Sequence, residues 1–394
     1  MSFFDEARKL LRENIREYAM FIALFVIMGV FAVTTDGLFI SSRNLVNLVN
    51  QTGYIAVLAV GMTLVIVIRH IDLSVGFLAG FLGAVAAIVL ASWGWPVYLA
   101  IAFVLGLGIL AGLLTSSLVA ELGIPAFVAT LAGWLGYRGA LQLATRTTGT
   151  IIISNDVFVA IGNGFVPDIP DIGILPEMHK VTLLLGLLGI ILFVSGELIS
   201  RRTMHKQGFE GLSTPLFILK QVFISILIGG VAWILAGYQG LSWTAVIILI
   251  VVLFYHFMTT KTVLGRHIYA VGGNPEAAEL SGISVKRITH VVFGSMGMLA
   301  ALSGILYASR LRSATTTAGT LFELDAIAAA FVGGVSAAGG VGNVVGSLIG
   351  ALIMTSLTSG MNLMQIDISY QYIVRALVLA LAVIFDVVTR RRSQ

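Results

Sequence analysis

The chain has 394 residues, 58% of them apolar and only 11% charged, with a mean hydropathy of +1.01. A water-soluble globule does not reach such values, so the composition specifies an integral membrane protein. Lys and Arg exceed Asp and Glu by 23 to 19, for a net charge of +4 that membrane topology and anionic lipid heads absorb, which leaves no ground for a nucleic-acid partner. The absence of Cys excludes disulfides, thiolate metal sites and thiol nucleophiles.

The first 17 residues alternate both signs of charge, and the run "YAMFIALFVIMGVFAVTT" that follows has no small-residue cleavage site after it, so it reads as a retained span rather than a signal peptide. Because about 20 apolar residues cross the hydrocarbon as a helix, apolar stretches predict spans at roughly 18–35, 44–68, 74–91, 97–119, 125–144, 180–199, 215–236, 241–258, 288–309, 323–338, 341–361 and 370–388. The expected fold is all-α: a polytopic transmembrane bundle of about 10 to 12 spans, forming one domain over residues 1–394. The segment near 323–338 is short enough to be broken or re-entrant, which is allowed only where protein or a cavity covers its backbone.

Short loops rich in Lys and Arg stay in the cytoplasm. With the N-terminus inside, 16 of the 23 basic residues fall at inner ends, including Arg8, Lys9, Arg12, Arg16, Arg69 and Arg390 to Arg392, whereas Arg138, Arg310 and Arg375 are among those at outer ends. Both termini are then cytoplasmic, residues 259–287 form a cytoplasmic loop, and residues 145–179, with Asp156, Asp168, Asp171, Glu177 and three Pro, form an ordered periplasmic loop.

Enzyme templates fail. There is no G-x-x-x-x-G-K-[ST], G-x-S-x-G or H-E-x-x-H, and "GGVGNVVG" at 339–346 has no strand before it. The six His are scattered and read as surface or interfacial residues. No cofactor or metal is expected. Glycines recur at i, i+4, i+8 in Gly342, Gly346 and Gly350, and at i, i+4 in Gly76/Gly80 and Gly108/Gly112; such ridges let helix backbones approach closely, here within one bundle.

Polar groups inside spans are costly unless they line a path or find partners. Asn44, Asn47 and Gln51 share one face of the second span, with Asn50 beside it; uncharged amides suit either a neutral polyhydroxylated solute or hydrogen bonds between helices. In "RHIDLSVG", Asp72 or Ser74 can cap the third span, with contact to a ligand along the path as the other role. Glu323 and Asp325 open the tenth segment, where carboxylates suit the helix dipole as a cap or as a gate near the outer mouth. Intramembrane acids are otherwise scarce, which argues against a proton-driven pump.

One stretch breaks the apolar pattern: "GGNPEAAELSGI" at 272–283. Asn274 can serve as N-cap, Pro275 fits the first helical position, Glu276 lies in the first turn, and Ser281-Gly282 ends the element after about two turns. Ala277 and Ala278 offer a close-fitting face, flanked by Lys261, Arg266, Lys286 and Arg287.

"EAAELSG" has the E-A-A-x-x-x-G spacing of the cytoplasmic loop of ABC importer permeases, without the I-x-L-P that ends the fuller motif in many of them. Together with "GMT" at 61–63, "IDLSVG" at 71–76, "GRHIYAVGGNPEAAELSGI" at 265–283, "ELDAIAA" at 323–329 and "GGVGNVVGSLIGA" at 339–351, the chain from about residue 40 onward resembles the monosaccharide-importer permeases of the ribose, galactose and xylose group. The extra pair of spans at about 180–236 makes it most similar to the xylose or multiple-sugar branch. Arg69-His70 stands where many members carry Gly-Gly or another small or acidic pair.

The resemblance implies a non-catalytic subunit of the bacterial inner membrane that works as a pair of permease copies, probed outside by a periplasmic sugar-binding protein and gripped inside by cytoplasmic ATP-binding subunits. Gly272 and Gly273 would then lead into a coupling surface of Asn274, Pro275, Glu276, Ala277, Ala278, Ser281 and Gly282. An ion-coupled secondary sugar transporter is the alternative.

Overall fold

The computed structural model describes residues 15–170, 173, 175–208 and 212–391. Arg8, Lys9, Arg12, Asp171 and Arg392, the side chains of Arg16, Arg390 and Arg391, and the expected placing of the N-terminus lie outside the described residues. The helices follow the predicted spans closely: α1 (Ile15–Thr34), α2 (Ser42–Val67), α3 (Val75–Ala91), α4 (Val97–Ala120), α5 (Ala126–Thr145), α6 (Asp156–Asn163), α7 (Lys180–Lys206), α8 (Thr214–Ala236), α9 (Trp243–Lys261), α10 (Val263–Gly273), α11 (Pro275–Leu280), α12 (Val285–Leu311), α13 (Phe322–Val332), α14 (Val344–Leu363) and α15 (Ile368–Arg391). The strands β1 (Thr150–Ile152) and β2 (Ser313–Thr315) pair antiparallel, with Thr150 opposite Thr315. Among the described residues, eight helices are long and apolar enough to cross a membrane: α2, α4, α7, α8, α9, α12, α14 and α15. The protein is an all-α polytopic helical bundle.

Two differences from the sequence-based spans have simple causes. Helix α7 runs to Lys206 rather than stopping near 199, because Glu197, Arg201 and Arg202 end the apolar stretch without breaking the helix. The segment 259–287 holds two helices, not one. Thr262 caps α10 by accepting from the Gly265 N–H, and Gly265, Ile268, Val271 and Gly272 form its buried stripe, whereas its closing Gly272-Gly273 hides the helix from a propensity reading.

By the density of its contacts the chain divides into two compact units. In one, built on residues 165–242, α7 and α8 form a hairpin whose exposed surface is mostly aliphatic. Asp168 accepts from the N–H groups of Lys180 and Val181 at the start of α7, and Lys220 pairs with Glu197 at 2.9 Å across the hairpin. Gly186 lies against Ala232 where the helices touch.

The other unit contains the core. Helices α2, α12 and α14 are its interior: 83%, 72% and 78% of their apolar windows are buried, against 11% for α15. Glycine ridges set this packing. A Cβ at Gly108 or Gly112 of α4 would strike backbone of α12 at Gly297 and Phe293, one at Gly304 would strike α3 at Ala79, and those at Gly346 and Gly350 would strike α13 at Gly333 and Ala329. Gly76 and Gly80 lie against Gly319 and Ala318 in the same way. In hydrocarbon there is no water to drive helices together, so close backbone approach supplies the attraction.

The short tenth segment is a broken crossing. Helix α13 has 11 residues, roughly 16 Å at 1.5 Å per residue, about half the hydrocarbon thickness. It starts beside Tyr54, midway along α2, and the loop after it reaches Val67, the last residue of α2, where the Gly340 N–H donates to the Val67 carbonyl at 2.8 Å. The irregular stretch between α12 and α13 completes the crossing under cover of α3, as exposed backbone in lipid would not be tolerated. The first part of the predicted loop 145–179 carries β1 and α6; Asn163 Nδ2 donates to the carbonyls of Ser309 and Arg310 and so satisfies the end of α12.

Replacing Gly297 by Leu is expected to destabilise the bundle by more than the roughly 1–3 kcal/mol usual for overpacking, since the clash is with backbone. A lowered thermal midpoint and loss of the monodisperse species in detergent measure this; an unchanged midpoint would show that α4 and α12 can separate freely.

Candidate functional site

Two regions of the core unit carry polar chemistry. The first is a small pocket beside the middle of α2, lined by Gln51, Tyr54, Ile55, Asp325, Met354, Thr355, Thr358 and Arg375. Arg375 Nη1 donates to Asp325 Oδ1 at 3.1 Å and Nη2 donates to the Thr358 hydroxyl at 2.6 Å, joining α13, α14 and α15. The Tyr54 ring stacks on Phe322 at 4.8 Å and meets Tyr307 edge-on at 5.1 Å. An aromatic face, an amide, two hydroxyls and a neutralised charge pair are groups that suit a neutral, hydroxyl-rich solute. The free volume is about 50 Å³, room for a few waters and well below the roughly 300 Å³ at which ligand pockets begin.

The structure brings only some of the sequence-selected path residues together. Gln51 and Asp325 meet in this pocket, mid-bundle rather than at an outer mouth. Asn50 is buried next to Gln51, and its Oδ1 has no hydrogen-bond partner among the described residues. Asn44 and Asn47 lie in the first two turns of α2, on the same helix but away from the pocket lining. Glu323 turns the other way: it is 4% exposed, accepts from Trp134 Nε1 at 3.0 Å and lies against Gly76, so it packs α13 onto α3 and α5 and is not among the residues that line this pocket. Asp72 is buried as well, accepting from both the N–H and the hydroxyl of Ser74. Ser74 occupies the N-cap position of α3 but makes no side-chain cap bond, so the pair closes a local turn instead of capping the helix directly.

Arg375 and Tyr54 were not selected from the sequence. The signal for Arg375 was present, since it is a charge seven residues inside an apolar helix, where a partner is obligatory.

The second region is the α10–α11 corner. Asn274 Oδ1 accepts from the Ala277 N–H at 3.0 Å, and Pro275 occupies the first helical position. At the other end the Gly282 N–H donates to Glu279 and the Ile283 N–H to Ala278, with Gly282 at φ +83°: a Schellman closure that requires the left-handed glycine. Both ends of a six-residue helix are therefore held, which its length alone would not achieve. Glu276, Ala277, Glu279, Ser281 and Gly282 are exposed, and Leu280 is 91% exposed. Ala278 and Gly272 face inward: Ala278 is 4% exposed, and a Cβ on Gly272 would meet the Val67 carbonyl. The outward face is thus Glu276, Ala277 and Leu280, not the Ala277–Ala278 pair. Beside it, Glu121 at the end of α4 accepts from Lys286 at 2.9 Å and hydrogen-bonds His290 at 3.3 Å, and these two partners hold its carboxyl below the usual carboxylate range.

The family described as "Branched-chain amino acid transport system / permease component" matches residues 44–383. The chain is 40% identical over 380 residues to the xylose transport system permease protein XylH of Escherichia coli (strain K12), covering 96% of this chain and 94% of that one. It is 38% identical over 384 residues to XylH of Haemophilus influenzae, covering 98% and 99%. It is 37% identical over 372 residues to the ribose import permease protein RbsC of Escherichia coli (strain K12), covering 94% and 93%. No solved structure matches the chain.

Asp325→Asn should lower stability by about 1–3 kcal/mol, because the half-buried Arg375 is left without its counter-charge, and the double variant Asp325→Asn/Arg375→Met should recover most of the loss. Thermal unfolding in detergent of Asp325→Asn, of Arg375→Met and of the double variant checks this; additive losses would show that the pair is not coupled.

Proposed function

This chain belongs to the family of branched-chain amino acid transport system permease components, and from that premise we propose that it is the membrane-spanning permease subunit of an ATP-driven importer of monosaccharides, with a pentose such as xylose as cargo. The observation that carries the reading is near full-length similarity to two pentose permeases in a chain that also presents a doubly capped helix, α11, to solvent. A solvated loop has no need of such rigidity. A site for another protein does, because a lever must not bend when it is pushed.

In this reading the protein is a multi-pass component of the bacterial inner membrane with both termini in the cytoplasm. A periplasmic sugar-binding protein delivers the sugar at the outer side, and a second copy of this chain completes the pore. Cytoplasmic ATP-binding subunits seat on α11, where Leu280 supplies an apolar anchor and Glu276 and Glu279 supply charge. Their closure on ATP moves α11 and the helices attached to it. The permease performs no covalent chemistry. The conformation described here is closed at the Gln51–Arg375 pocket, so sugar passes only when α2 and the α13–α14 hairpin part. Amides, hydroxyls and an aromatic ring then offer weak contacts that a passing sugar can leave.

Glu276→Arg and Gly282→Pro should leave the chain folded in the membrane while ATP-binding subunit association and xylose uptake are lost. Affinity purification with mass spectrometry, beside radiolabelled xylose uptake, checks this. Normal uptake by either folded variant would sink the coupling role. Uptake by the purified chain alone in an ion gradient would favour a secondary transporter.

A further inference from the structure

We propose that Arg69 is the positioning residue that ties the movement of α11 to the central helix α2. The inference rests on the permease reading above and adds to it the route by which a push on the short helix reaches the sugar path.

Helix α2 closes with the Arg69 N–H donating to Ile66 and the His70 N–H donating to Val65. Arg69 occupies the left-handed position of this closure at φ +67°, where glycine is the usual residue and a side chain is disfavoured. The side chain that is nevertheless present reaches the end of another helix. Arg69 Nε donates to the Gly272 carbonyl at 2.7 Å, and Nη2 donates to the Gly273 carbonyl. These are terminal carbonyls of α10, groups that a helix leaves unsatisfied and that favour a cation. The next residue, Asn274, is the N-cap of α11, so the guanidinium grips the backbone immediately before the lever.

A third segment locks onto the same point. The Gly340 N–H donates to Val67, the last residue of α2, and the Tyr269 hydroxyl donates to the Gly342 carbonyl at 2.6 Å. A Cβ at Gly272 would collide with Val67 and Gly340, and one at Gly339 would collide with the Arg69 side chain. The end of α2, the end of α10 and the turn leading into α14 therefore meet backbone to backbone, with two side chains bonded across them: Tyr269 from α10 to the turn, and Arg69 from α2 to α10. The planar fork can serve two carbonyls at once; an ammonium on a flexible stem holds one. At its middle α2 carries Gln51, Tyr54 and Ile55 on the pocket, facing Asp325 of α13. A displacement of α11 reaches that pocket through Arg69 and then along α2, which moves as a rigid rod.

The test uses the full permease reconstituted in proteoliposomes with its ATP-binding subunit and periplasmic binding protein, with xylose as the probe. ATP hydrolysis and xylose uptake are read on the same vesicles for wild type, Arg69→Gln and Arg69→Lys. Arg69→Gln is expected to retain the bound ATP-binding subunit and to hydrolyse ATP while importing about tenfold less xylose per ATP, within the usual range of coupling between sites. Arg69→Lys should fall between. An unchanged xylose-to-ATP ratio in Arg69→Gln would overturn the proposal, and so would an equal fall in both rates, which is what a purely structural role gives. If Arg69→Gln does not fold, the ratio in Arg69→Lys decides on the same terms. Failure of the wild-type chain to hold an ATP-binding subunit would instead sink the permease reading itself.

Discussion

Every feature of this chain depends on one constraint: inside hydrocarbon a backbone N–H or C=O has no water to fall back on. Long helices satisfy it within themselves, as do the eight that, among the described residues, are long and apolar enough to cross. The exceptional region is the path from Arg312 to Asn343, where a hairpin strand, turns and an 11-residue helix replace a continuous span. Such backbone survives because α2, α3, α12 and α14 enclose it, and enclosure at backbone distance is possible because glycine stands at the crossings. The price of one irregular crossing is thus the glycine content of its neighbours.

The irregular crossing is also where polar side chains gather. A broken helix exposes a start at mid-depth, where the dipole favours carboxylates, and Glu323 and Asp325 are both there. They are separated by half a turn, and their environments diverge. Glu323 is committed to Trp134 and to packing, while Asp325 meets Arg375 in the pocket. A charge pair that neutralises itself gives the pocket polarity without a net field, which suits contact with an uncharged group better than retention of an ion.

At the α10–α11 corner the same need for backbone partners ties separate helices together. The carbonyls that end α10 are free by construction, and the residue that satisfies them is anchored at the end of the most buried helix of the core. Hydrogen bonds made to close a helix end therefore also join the exposed α11 corner to the interior of the core.

The sequence by itself determined what depends on neighbours in the chain. Apolar runs set the spans to within a few residues, and the short run near 323–338 marked the broken crossing. Asn274, Pro275 and Gly282 specified α11 with both its caps, because capping is a matter of four or five consecutive residues. The ridges of Gly108/Gly112 and Gly346/Gly350 announced close packing but not their partners. Only the tertiary structure decided what depends on which surfaces meet. It turned Ala278 inward and left Leu280 out. It separated Glu323 from Asp325, brought Arg375 from the last helix to the pocket, and sent Arg69 to Gly272 and Gly273, residues more than 200 positions away along the chain. Side chains on a helix point by a period of 3.6, which local sequence shows; the group they reach across a helix interface is fixed by interhelical distance and register, which it does not.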